Sequence, residues 1–226
     1  MTQHFGDQLE GFRRQLVAMG ADVERQIRLA VEAVVEADAV KARQVMAGDA
    51  AIDHQEVKNE EDGIHLLATQ QPVAVDLRLI VAALRINSDL ERIADHAVNI
   101  AECAERMAEK RPFKPWIDVP MMADVARGML KDSLDAFVRR DAALALEVCR
   151  RDDILDEKNK SLIRELLTYM AENPSLISYC IEIMSVSKNL ERVGDLATNI
   201  CEGTIYFVQG RMIKHAFGPK HQEEAP

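Results

Sequence analysis

Glycine and proline are scarce, 10 and 7 in 226 residues, and aromatic side chains make up only 4%. Turns draw heavily on glycine and proline, so a chain this poor in them is built from a few long elements. That argues against sandwiches, barrels and doubly wound sheets. No apolar run approaches the roughly 18 residues that a bilayer span requires. The first residues, Met1-Thr-Gln-His-Phe-Gly-Asp7, lack the basic and apolar regions of a secretory signal. The four cysteines, Cys103, Cys149, Cys180 and Cys201, form no CxxC pair. Free thiols in a reducing cytosol fit them better than a disulfide framework or a zinc site. There is no glycine-rich nucleotide loop and no HExxH. Positive charge is also short: 28 Lys and Arg face 38 Asp and Glu, a net charge of −10. That excess argues against nucleic-acid backbones and anionic membrane surfaces as partners.

What is present is helical periodicity. Leu16, Met19, Val23, Ile27, Val31 and Val34 recur every three or four residues, one apolar stripe of a helix. Asp38 stands where the N-cap of a second helix belongs, and that helix is expected to run to about Ala68. Pro72 excludes the helical conformation from Gln71, and a third long helix follows from about Val73 to Lys110. Residues 111–120 carry three prolines and read as a linker.

Beyond the linker the plan repeats. Asp89-Leu-Glu-Arg-Ile-Ala-Asp-His-Ala-Val-Asn-Ile-Ala-Glu102 matches Asn189-Leu-Glu-Arg-Val-Gly-Asp-Leu-Ala-Thr-Asn-Ile-Cys-Glu202 at an offset of 100, with eight of fourteen positions identical. The middle helices align at 103, placing Asp49 and Asp53 on Asp152 and Asp156. Such self-similarity marks a structural repeat. The expected fold is all-α: a first three-helix bundle over 1–110, the linker at 111–120, a second bundle over 121–215, and a disordered tail at 216–226.

Each repeat carries a polar stripe. On a helix, Glu91, Asp95, Asn99 and Glu102 fall within about 80° of one another, and Asp49, Asp53, Glu56 and Glu60 within about 60°. The second copy gives Glu191, Asp195, Asn199 and Glu202, with Asp152 and Asp156 on its middle helix, where Asn159 and Ile163 replace the last two acids. Acids four residues apart repel, so a helix optimised for its own stability would avoid this spacing. Two adjacent helices so marked offer four or more carboxylate oxygens to one hard cation, such as Mg²⁺, Ca²⁺, Mn²⁺ or iron. The alternative is a solvated outer face, although the duplication of the same stripe points to a constraint on it. The Glu-x-x-His pair of ferritin-type di-iron sites is absent. His54, His65 and His96 show no ligand spacing, and the doublets Arg13-Arg14, Arg139-Arg140 and Arg150-Arg151 read as ordinary surface.

The stretch Gln71-Pro-Val-Ala-Val-Asp-Leu-Arg-Leu-Ile80, followed by the two DLER/NLER segments above, resembles the PhoU family of bacterial phosphate-uptake regulators. The resemblance implies a cytoplasmic pair of three-helix bundles, commonly a homodimer. It implies a non-enzymatic negative regulator of the phosphate-starvation response. Its implied partners are the ATPase subunit of the phosphate ABC transporter and a sensor histidine kinase. It further implies metal at E/DxxxD motifs, here Asp49, Asp53, Glu91 and Asp95 in the first copy and Asp152, Asp156, Glu191 and Asp195 in the second. The implied ions are iron, zinc, magnesium or manganese. Two other readings of the same carboxylates are a metal-dependent hydrolase and a metal-storage protein.

Overall fold

The structure, a computed structural model, describes residues 3–108 and 118–211. Six helices occupy nearly all of them: α1 Gln3–Glu36, α2 Ala39–Gln70, α3 Ala74–Ala108, α4 Asp118–Arg139, α5 Ala142–Glu172 and α6 Ile177–Gln209. The linker residues 111–117 and the tail 216–226 lie outside the described residues. Residues 118–120, expected in the linker, instead form the first turn of α4. Pro120 is tolerated there because the first backbone N–H groups of a helix have no intrahelical acceptor.

The repeat is visible in the turns. Ala37, at φ 53°, reverses the chain after α1, and Asp38 then caps α2 by accepting from the N–H groups of Val40 (2.8 Å) and Lys41 (3.1 Å). Arg140, at φ 56°, does the same after α4, and Asp141 caps α5 through Ala143 and Leu144, both at 3.0 Å. The helix terminus is closed in both places by the same backbone bond, Asp38 N–H to Ala33 and Asp141 N–H to Ala136, each 2.9 Å. Two Asp residues in one register thus fix two identical helix starts. Helix α2 runs two residues past its expected end, and Gln71 takes the left-handed conformation immediately before Pro72. The second break is a short 3₁₀ turn, Pro174–Leu176, capped by Asn173.

Helices α1, α2 and α3 pack as one bundle and α4, α5 and α6 as the other. The bundles join chiefly through α3 and α6, with α1 against α4 beside them. Helices α3 and α6 are antiparallel: Arg78 reaches the carbonyl of Phe207 (3.5 Å) at one end, and Arg106 pairs with Glu182 (3.0 Å) at the other. Small buried residues, including Ala94, Ala97 and Ala101 on α3 and Gly194 and Ala197 on α6, sit on these two central helices. All the buried apolar side chains form one continuous core. The two repeats therefore share an interior rather than standing as separate balls.

Candidate metal-binding carboxylate clusters

The stripes of α2 and α3 face each other. Burial pushes the Asp49 carboxyl above its ordinary range, and the negative charges of Asp53 and Asp95 push it further. Glu91 is raised by burial and then by Asp95, Glu56, Asp53 and Asp49. Glu56 is raised by burial and then by Glu60 and Asp53. These acids feel one another across the helix pair, and two of the three cation positions of the second copy are not basic here. The position one turn after Asp53 is Val57, that before Glu91 is Ser88, and Arg92 turns back to Asp89 (3.5 Å). Asp49 and Glu91 are half-buried, whereas Asp53 and Asp95 are exposed.

The second cluster has the same acids in a different setting. Asp152, Asp156, Glu191 and Asp195 are all half-buried. Burial, followed by the charges of Asp195, Asp156, Asp153 and Glu191, raises the Asp152 carboxyl to about 7. Asp156 and Asp195 are also raised, each by burial first and by Glu191 second. Here cations stand guard. Lys188 pairs with Glu191, Arg192 with Asp195 (2.9 Å), and Lys160 lies 4.0 Å from Asp156. Asp152 is left out of these pairs. Its Oδ1 is shielded from solvent and has no hydrogen-bond partner, which is costly for a group able to ionise.

All eight predicted acids are thus brought together in two groups of four, one per repeat. Their oxygens do not converge on a point. Among the described residues no three His, Cys, Asp or Glu side chains stand in a ready metal-holding arrangement. The stripes end sooner than their sequence period suggests, since Glu102 pairs with Arg106 (3.5 Å). His54 and His65 are exposed, while His96 Nδ1 lies 2.9 Å from Asn189 Oδ1 across the α3–α6 contact, a structural position.

Two features were not read from the sequence. Each bundle holds a buried polar pair one turn from its cluster. Asn59 donates to Asn87 (2.9 Å), which donates to the carbonyl of Glu56 (2.8 Å). In the second copy Ser187 donates to Asn159 (2.6 Å). The signal was there: Asn87 and Ser187 fall in the apolar phase of their helices, where a polar residue needs a partner. Second, Arg14, Arg139 and Arg140 are exposed as expected, but Arg13 is half-buried, and Arg13 and Arg140 meet on one aromatic pair. Arg13 donates to the carbonyl of Val138, and the guanidinium groups of Arg13 and Arg140 each lie 6.0 Å from a ring of the edge-on pair Phe137 and Phe207. The partners lie on three helices far apart in sequence, which hid this grouping.

Comparison with known proteins follows the repeat. The family model described as "PhoU domain" matches residues 16–104 and again 119–204. A curated relative from Pseudomonas putida, named "Phosphate-specific transport system accessory protein PhoU homolog", is 41% identical over 216 residues, covering 95% of this chain and 84% of its own. The crystal structure of PhoU from Pseudomonas aeruginosa superposes with a TM-score of 0.88 at 40% identity, covering 92% of this chain and 100% of that one. The phosphate transport system regulatory protein PhoU from Streptococcus pneumoniae superposes at 0.84 with 26% identity, covering 92% and 98%.

Proposed function

The chain belongs to the PhoU family, and from that premise we propose that it is an accessory protein of phosphate-specific transport that represses the phosphate-starvation response. It works without catalysis, in the cytoplasm, as a homodimer that connects the ATPase subunit of the phosphate transporter to a sensor histidine kinase. The observation that carries this reading is the similarity of the whole two-bundle chain to relatives that bear the accessory-protein name. No helix among the described residues is long and apolar enough to cross a membrane, consistent with action beside a transporter rather than within it.

The carboxylate clusters fit hard cations by their donor chemistry. In the second cluster the unpartnered Asp152 Oδ1 is a further sign of fit. Asp49, Asp53, Glu91 and Asp95 would hold the ion of the first cluster, and Asp152, Asp156, Glu191 and Asp195 that of the second. The bound charge would neutralise like-charged acids and so tie α2 to α3 and α5 to α6. Ion identity, among iron, zinc, magnesium and manganese, follows availability as much as ligand type. The regulatory half is tested by deleting the gene and measuring phosphate-responsive transcription in phosphate-rich medium. Derepression is expected, and unchanged repression contradicts it. Co-purification with the transporter ATPase and the kinase then identifies the partners.

A further inference from the structure

The two clusters differ at one backbone position beneath the acids. Gly194 sits on the buried side of α6, one residue before Asp195. A methyl group placed there would meet Leu155 Cδ2 at 2.6 Å and Asp152 Oδ1 at 3.0 Å, both tighter than ordinary packing. The missing side chain is therefore the space into which the Asp152 carboxylate settles. Its Oδ1 lies out of solvent and unpartnered in that space. The first repeat has Ala94 at the matching position, buried and carrying the methyl that Gly194 lacks. There, Asp53 and Asp95 stand exposed, and none of the four acids has a buried oxygen left without a partner.

Charge alone would favour the first cluster, where Val57 and Ser88 stand at the positions of Lys160 and Lys188, and Arg92, the match of Arg192, pairs with Asp89 instead. Attraction of that kind acts at long range through water and is screened by salt. The second cluster has three cations against its acids, so bulk charge cannot be its advantage. Its advantage is a desolvated oxygen already aimed between α5 and α6, which gains a partner only when an ion arrives.

We propose that Gly194 is a positioning residue that makes the α5–α6 cluster the tighter of two unequal cation sites, leaving the α2–α3 cluster loose and salt-sensitive. This rests on the cation-binding reading given above. The test uses the full chain titrated with Mn²⁺ by calorimetry at low and high sodium chloride. Two classes of site are expected, and only the weaker one should fade with salt. Gly194→Ala should weaken the tighter class roughly tenfold or more, the scale of losses from groups that orient metal ligands, and leave the weaker class in place. Ala94→Gly should tighten the weaker class. Because Leu155 must shift to admit a methyl at 194, Asp152→Asn provides a second variant with almost no steric change. It should weaken the tighter class at least as much while the helical circular dichroism stays as in the wild type. A tighter class whose affinity is unchanged by either substitution overturns the role of Gly194, as does a single class of equal sites in the wild type. A wild-type chain that takes up no Mn²⁺ overturns the cation reading itself.

Discussion

The two halves of this molecule share the turn and the aspartate cap that start their middle helices but not the electrostatics of their acidic stripes. In the first, six carboxylates from Asp49 to Asp95 face one another with little compensation and ample solvent. In the second, Lys160, Lys188 and Arg192 offset Asp156, Glu191 and Asp195, and the uncompensated group is Asp152, half-buried beside Gly194. Duplication has preserved four acids in each copy while Asn159 and Ile163 replaced Glu56 and Glu60 and the surroundings drifted. The fold depends on features both copies kept, and the difference between the clusters depends on features only one has.

The largest expected effect should not distinguish the halves. Leu90 and Leu190 are the same repeat position and are both fully buried in the shared core. Replacing either by Ala should cost about 2–5 kcal/mol, read by urea denaturation as a single transition in both variants. Two separated transitions would show that the bundles unfold independently and break the comparison. The polar pairs come next. Asn87→Ala removes the oxygen acceptor of the buried Asn59 amide and a second donor to the Glu56 carbonyl and should cost about 1–3 kcal/mol. Ser187→Ala removes one donor from Asn159 and should cost less. An equal or reversed order would mean that the second pair carries more than its one bond.

The pH response sharpens the contrast. Asp152 in the fold titrates near 7, above the roughly 3.9 of an unfolded aspartate. Between those values the native chain holds a proton that the unfolded chain has released. Metal-free stability from this group therefore falls as pH rises from about 4 to 7 and is largely lost above that. Asp152→Asn should flatten that slope in melting experiments with EDTA. Asp49→Asn should act in the same direction and less. A slope unchanged by Asp152→Asn would remove Asp152 as its source. The smallest effect belongs to the guarding cations. Lys188→Ala should change stability by about 0–1 kcal/mol, because its side chain is 47% exposed. A larger loss would mean that Lys188 does more than offset Glu191.

Much of this was legible in the sequence. Helix periodicity, the Asp38 cap and the offset of 100 between DLER and NLER lead to two three-helix bundles. The stripes placed all eight acids on the correct paired helices, because helical geometry is fixed by spacing alone. What spacing could not show was depth. Asp49 and Asp152 occupy one register, yet of the two only Asp152 has a sealed oxygen left without a partner, and that oxygen lies against Gly194 on another helix. The drift from Ala94 to Gly194 is visible in the sequence, but its meaning comes from the approach of Leu155 and Asp152 to that glycine. The convergence of Arg13 and Arg140 on Phe137 and Phe207 likewise required the packing of α1, α4 and α6. The first turn of α4 was misjudged because Pro120 reads as a breaker away from a helix start and as neutral within one.

Thermal unfolding of the purified chain, with metal content measured on the same sample, tests the cation reading most directly. An ion bound only by the folded state raises the melting temperature by mass action. Stoichiometric metal, a melting temperature lowered by EDTA and restored by Mn²⁺, and loss of both effects in the double variant Asp95→Asn, Asp195→Asn are expected. A chain free of metal whose melting temperature ignores both EDTA and Mn²⁺ would contradict it.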